Sequence, residues 1–217
     1  FEEDTTKAIA DIVRPGMTVL DIGANIGAHT FNLSKLVGDD GAVIAFEPMR
    51  WAQERLHKKL GLNSFSNITI EKLALSDVNK SGAASFRTSW NKYDDEGDVV
   101  KPEDNIRFQK LDDYLVEKDT KNVDFIKLDV DGFEFKILKG AVGTLGKLRP
   151  TLLMELGCWT LEKQGDSLLR LVEFLKSLGY EFFRESDSKH LPDYESILQE
   201  FPDPLTWTIN AIVIHRS

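Results

Sequence analysis

The chain has 217 residues, 41% hydrophobic and 29% charged with both signs interspersed, which fits one folded domain with a real core and excludes a disordered chain. A formal net charge of −9 argues against a phosphate-neutralising surface, so no nucleic-acid partner is expected. The single cysteine, Cys158, excludes an intrachain disulfide and a cysteine metal cluster, and no apolar run approaches the roughly 20 residues of a membrane span. A reducing, cytoplasmic setting is the simplest expectation. Residues 1–217 read as a single domain; the absence of an initial Met suits a domain cut from a longer protein.

Apolar strands alternate with amphipathic helices along the chain, the pattern of an α/β domain with a mainly parallel sheet. A leading helix is expected over 3–14, stopped by Pro15-Gly16. A buried strand over Thr18–Ile22 precedes a helix from Gly27 to Val37, where Phe31, Leu33, Leu36 and Val37 have helical spacing. The second strand, Ala42–Phe46, ends at Glu47-Pro48, and a helix follows over 50–61. A third strand is predicted over Ile68–Leu75 and an extra one over 83–88. The acidic stretch 89–105 reads as a surface loop or a lid. A fourth strand over Asp124–Asp129, a helix over 133–145 and a fifth strand over Thr151–Glu155 come next. A helix over 166–178 and closing strands over 180–184 and 206–215 complete the pattern.

The strongest local signal is Asp21-Ile22-Gly23-Ala24-Asn25-Ile26-Gly27, set between a strand and a helix. Glycine there permits a sharp turn and close approach to a ligand. A dinucleotide site would use G-x-G-x-x-G, whose middle glycine makes room for a pyrophosphate; this loop is G-x-x-x-G with Asn25 inside it. The acid Asp21 before the first glycine suits a cationic ligand such as S-adenosylmethionine, although a plain strand-to-helix turn uses the same glycines. Glu47 closes the second strand twenty residues beyond Gly27, where an acid accepts hydrogen bonds from both ribose hydroxyls of an adenosine. Asp77 follows the third strand and is a candidate for the adenine amino group, or an ordinary turn aspartate. Lys127 and Asp129, two apart on a strand, point to one face near its carboxyl end, where ligands of open α/β sheets bind. Their alternative is a structural ion pair. Glu155 closes the fifth strand in the same layer.

These residues resemble the FkbM family of methyltransferases. The resemblance rests on Asp21-Ile-Gly-Ala-Asn-Ile-Gly-Ala-His-Thr30, Phe46-Glu47-Pro48, Ala74-Leu75-Ser76-Asp77 and Leu111-Asp112-Asp113-Tyr114. It continues through Ile126-Lys-Leu-Asp-Val-Asp-Gly-Phe-Glu134, Leu138-Lys-Gly140, Arg149-Pro150 and Leu152-Leu153-Met154-Glu155, in matching order over roughly residues 17–156. Asp131 departs from the family's D-V-E-G pattern, keeping the charge on a shorter side chain. The segment after Glu155 matches poorly, and Asn210 is the position there that corresponds to a family asparagine.

The resemblance implies a class I methyltransferase, Rossmann-like fold: a seven-stranded, mostly parallel sheet with the last strand antiparallel and helices on both faces. It implies S-adenosylmethionine as cofactor, held by Asp21, Gly23, Ala24, Asn25, Gly27, Glu47, Pro48, Ala74, Asp77 and Asp129. It further implies methyl transfer to a hydroxyl of a sugar, glycan or natural-product scaffold. A hydroxyl needs a base or a metal, so Asp129 and Glu155 are candidate bases or ligands of a divalent ion such as Mg²⁺. Lys127 is a candidate to hold the acceptor oxygen. His29 is a further candidate base, His190 a more remote one, and Trp159 and Trp207 are candidates to line a sugar pocket. Competing readings are a nicotinamide-dependent oxidoreductase, a non-catalytic nucleoside-binding domain and an N- or C-methyltransferase. The first lacks its G-x-G-x-x-G, the second would be expected to lose Asp21, Glu47 or Asp129, and the third lacks an N-P-P-Y-like run after the fourth strand.

Overall fold

The computed structural model describes residues 3–62, 65–84 and 103–216. In chain order the elements are α1 (Glu3–Ile12), β1 (Thr18–Ile22), α2 (Ala28–Val37), β2 (Ala42–Phe46), α3 (Arg50–Gly61), β3 (Ile68–Glu71), β4 (Ala74–Leu75), β5 (Lys80–Ala84) and β6 (Glu103–Gln109). There follow α4 (Leu111–Glu117), β7 (Phe125–Leu128), α5 (Glu134–Lys139), α6 (Val142–Lys147), β8 (Thr151–Leu156) and α7 (Cys158–Lys163). The chain closes with α8 (Leu168–Ser177), β9 (Tyr180–Arg184), β10 (His190–Leu191), α9 (Tyr194–Leu198) and β11 (Ile209–His215).

Strands β3, β2, β1, β7 and β8 run parallel, in that order across the sheet. β11 inserts antiparallel between β8 and β9. Sheet order reverses between β1 and β7, and a crevice opens there at the strands' carboxyl ends. The seven expected strands are present, and an eighth, β10, adds antiparallel to the outer edge of β9. Two residues are too few to show alternation in a sequence, which is why β10 was not foreseen.

Side chains alternate between the two faces of the sheet. Val19, Val43, Phe125, Leu153 and Ile212 meet Ala8, Ile9 and Val13 from the α1 segment and Leu33 and Val37 of α2. Leu20, Ile22, Ile126, Leu128, Leu152 and Met154 meet Tyr114, Leu138, Leu145 and Leu171 on the opposite face. Strands covered on both sides need apolar residues at successive positions, as observed.

Two predicted elements divide. The expected strand over 68–75 breaks at 72–73, and β4 leaves for a second, three-stranded sheet with β6 and β5. The expected helix over 133–145 breaks between α5 and α6. Gly140 abuts the carbonyl oxygen of Ser76, which a Cβ would meet at 2.0 Å. The Asp112 carboxylate of α4 then accepts the N–H groups of Gly143 and Thr144, both at 2.7 Å, starting a new helix. Of the expected strand over 83–88 the structure shows only the end of β5; the rest, with most of the acidic loop over 89–105, lies outside the described residues.

Candidate active site

A cleft of about 1250 Å³ lies at the carboxyl ends of β1, β2, β7 and β8. Its lining brings together Gly23, Ala24, Asn25, His29, Glu47, Pro48, Ala74, Asp77, Lys127, Asp129 and Glu155, residues spread over more than 130 positions of sequence.

The glycine loop is bound to the end of β2. Gly23 and Ala24 donate their N–H groups to the Phe46 carbonyl at 3.1 Å each, and Asn25 donates its own to Glu47 Oε2 at 2.8 Å. Glu47 Oε1 accepts the Met49 N–H at 2.7 Å. Burial pushes the Glu47 carboxyl up to about 7, against these two backbone donors, which favour its charged form. Glu47 therefore organises the loop as well as facing the cleft. Gly23 has φ +83°, and a Cβ there would stand 1.9 Å from the Asp129 carbonyl oxygen. That glycine serves the approach of two loops, in addition to any approach of a ligand. Asp21 and Gly27 stand behind the lining: Asp21 is fully buried, and Gly27 is covered by Leu56 and Phe31.

Asp21, Lys127 and Asp129 form a charged row. Lys127 Nζ lies 3.1 Å from Asp129 Oδ2 and 3.8 Å from Asp21 Oδ1. The Lys127 side chain is 5% exposed, that of Asp21 1% and that of Asp129 42%, so two charges are fully withdrawn from water and the third faces the cleft. The Thr30 hydroxyl donates to Asp21 Oδ2 at 2.6 Å and fixes its orientation.

Beyond Asp129 the chain turns through Asp131 (φ +52°) and Gly132 into α5. Glu134, the first residue of α5, reaches back with Oε1 to accept the N–H groups of Val130 (3.1 Å) and Gly132 (3.2 Å). Burial raises the Glu134 carboxyl to about 7. No sequence signal beyond an acid in a first helical turn pointed to this role. Burial raises Asp131 to about 6, with the neighbouring Asp129 charge adding to it, and Asp131 lines the cleft too. Glu155 sits well above the carboxylate range because it is buried and faces Asp129; Thr208, also in the lining, hydrogen-bonds to it.

Glu47, Glu134 and Glu155 all hold protons more tightly folded than unfolded. Their contribution to stability is full below the ordinary carboxylate range near 4.3 and is lost as pH rises through about 7 and beyond. The urea midpoint is therefore expected to fall between pH 5 and pH 8, and Glu155→Gln should flatten that fall. A wild-type midpoint that holds level or rises would contradict the burial argument.

Other candidates separate. Trp159 lines the cleft, whereas Trp207 is 58% exposed outside the lining. His190 lies on the edge strand β10, 3.6 Å from Glu181 and against Phe183, away from the cleft. Asn210 donates to Thr5 of α1 at 3.1 Å. Cys158 starts α7, and burial raises its thiol, with Glu162 adding to the effect, as befits a structural cysteine. Among the described residues no group of three or more His, Cys, Asp or Glu side chains is arranged to hold a metal ion. Of the two carboxylates expected as metal ligands, Asp129 pairs with Lys127, and burial with the Asp129 charge raises Glu155.

A sequence model for the methyltransferase FkbM domain matches residues 21–182. The chain belongs to the FkbM methyltransferase family. The match to the family begins at Asp21, the head of the glycine loop, and spans the charged row and Glu155. The 2-O-methyltransferase NoeI of Sinorhizobium fredii is 26% identical over 162 residues, covering 66% of this chain and 65% of NoeI. The FkbM methyltransferase of Methylobacillus flagellatus superposes with a TM-score of 0.59 at 18% identity, over 97% of this chain and 50% of that one. An rRNA methylase of Streptococcus thermophilus gives 0.56 at 10% identity, over 98% and 95%. The class I methyltransferase fold is shared with both structures, and this chain spans about half the length of the Methylobacillus protein and 65% of NoeI. Among the described residues no helix is long and apolar enough to cross a membrane.

Proposed function

We propose that this FkbM domain transfers a methyl group from S-adenosylmethionine to a hydroxyl of a sugar, glycan or natural-product scaffold. The observation that carries the reading is the cleft at the sheet's switch point, which gathers Glu47, the glycine loop and Asp129 in one lining. The residues present fit the cofactor. Asn25 Oδ1 is a buried acceptor with no hydrogen-bond partner in the protein, and Asp21 Oδ1 is likewise without a hydrogen bond, so the loop keeps acceptor capacity for a cationic, donor-rich ligand. Glu47, Asn25, Pro48, Ala74 and Asp77 would hold the nucleoside end, with Asp21 acting from behind the loop. When bound, S-adenosylmethionine supplies a methyl group on a positively charged sulfur. The protein's own work is to orient the acceptor and take its proton; Asp129, the exposed end of the charged row, is the base in this reading, and Lys127 orients it through their ion pair.

The hydroxyl acceptor is supported by the name of NoeI, a 2-O-methyltransferase. An RNA acceptor is disfavoured by the net charge of −9. The test is calorimetric titration with S-adenosylhomocysteine, run on the wild type and on Glu47→Ala with the melting temperature of each recorded. Micromolar binding is expected, weakened at least about tenfold in the variant by loss of a charged hydrogen-bonding group. No binding by a folded wild type overturns the reading.

A further inference from the structure

Two helices begin at the floor of the cleft, and their starts touch: a Cβ on Gly132, just before α5, would lie 2.4 Å from the Thr160 carbonyl in α7. Phe133 just before α5 and Trp159 in the first turn of α7 are each followed one turn later by a lysine, and all four residues line the cleft. Lys136 Nζ stands 5.3 Å from the Phe133 ring centroid, and Lys163 Nζ stands 4.0 Å from that of Trp159. Lys80 repeats the arrangement over Phe108, at 5.2 Å, from the second sheet. In a chain with 36 acidic residues against 27 basic ones, lysines ordinarily find carboxylates. Lys139, on the same helix as Lys136, does so with Asp77 at 3.6 Å and Asp166 at 3.4 Å. Among the described residues Lys136 and Lys163 have no such partner.

An aromatic face holds an ammonium group in place without neutralising it, because the ring offers a quadrupole and no net charge. The two lysines therefore present oriented positive charge, without a carboxylate partner among the described residues, at the half-buried and exposed part of the cleft wall. We propose that Lys136 and Lys163 bind an anionic group of the methyl acceptor, so that the acceptor is an anionic saccharide carrying a phosphate or carboxylate. This rests on the sugar-hydroxyl reading above and narrows it. Of the acids in the same lining, burial favours the neutral form of Glu155 and raises Asp131 to about 6, while Asp129 is paired with Lys127. A carboxylate or phosphate oxygen meets lysine N–H donors in short, charge-assisted hydrogen bonds.

The experiment uses the full chain saturated with S-adenosylhomocysteine and follows its amide spectrum during titration with glucose 6-phosphate, glucuronate, glucose and inorganic phosphate. Saturable shifts around Trp159 are expected with one or both anionic sugars, at least about tenfold tighter than with glucose. Lys136→Gln with Lys163→Gln, at half-buried and exposed positions that tolerate the change, should remove that difference and leave S-adenosylhomocysteine affinity as it was. Which anionic sugar binds separates the phosphate source from the carboxylate source. The proposal is overturned if neither anionic sugar exceeds glucose, if the double variant binds them equally well, or if inorganic phosphate binds as tightly as both. Those outcomes leave the cofactor reading standing; failure to bind S-adenosylhomocysteine at the outset removes both.

Discussion

Lys127→Met is expected to lower folding stability by about 3–5 kcal/mol, the cost of leaving a buried charge without its partner. The lysine ammonium lies between Asp21 and Asp129, and Asp21 has no route to water, its side chain being 1% exposed. Methionine fills nearly the same volume, so the packing of β7 between β1 and β8 is kept and the loss is electrostatic. Thr30 still donates to Asp21, but one neutral hydroxyl offsets little of the desolvation of a carboxylate. Urea unfolding at neutral pH measures the loss. Lys127→Met with Asp21→Asn should recover a large part of it, because the second change removes the stranded charge. A single variant as stable as the wild type would show that the row is not a coupled unit.

The second large effect is on turnover. With an acceptor found by screening, Asp129→Asn should reduce kcat by about 10²- to 10⁴-fold, the range for loss of a positioned general base. Asparagine retains an oxygen that accepts from Lys127, so the fold and the lysine's place are preserved. Glu155 is a poorer base than Asp129: burial and the neighbouring Asp129 charge raise its carboxyl and favour the protonated form, which cannot take the acceptor's proton. His29 lines the cleft from the first turn of α2 and is another group within it that could accept a proton. Single-turnover methyl transfer measured for Asp129→Asn and His29→Gln decides between them. Full activity in Asp129→Asn would remove Asp129 from the chemistry and leave it as the outer member of an ion pair.

Lys127 shows how far the residues alone could lead. A lysine and an aspartate two apart on an apolar strand point the same way, and that already placed them at the sheet's carboxyl edge. Whether they formed an ion pair or a reactive pair stood open, because pairing depends on Asp21, 106 positions away in the chain and opposite Lys127 in the β1–β7 register. The structure shows the ion pair, with Asp129 still half exposed to the cleft. Glu155 illustrates a different limit. Its position at the strand end was legible, but its protonation follows from burial and from the proximity of Asp129, which no local pattern encodes. Glu134 was visible only as part of a motif; its work as the acceptor for two N–H groups of its own loop appears once Val130 and Gly132 are turned toward it.

By itself the sequence determined the alternation of strands and helices, the glycine loop, Glu47 at the end of the second strand and the family. These rest on short-range periodicity and on residue types that tolerate few backbone conformations. Only the tertiary structure decided that the third strand divides, that Gly140 breaks a helix against the Ser76 carbonyl and that β10 extends the sheet. It also decided that Trp159 enters the cleft while Trp207, His190 and Asn210 stay outside, and that lysines of α5 and α7 rest on aromatic faces instead of carboxylates. The physical reason is the same throughout. Burial, close backbone approach and charge pairing are set by residues distant in sequence, and their energies exist only once the chain has brought those residues together.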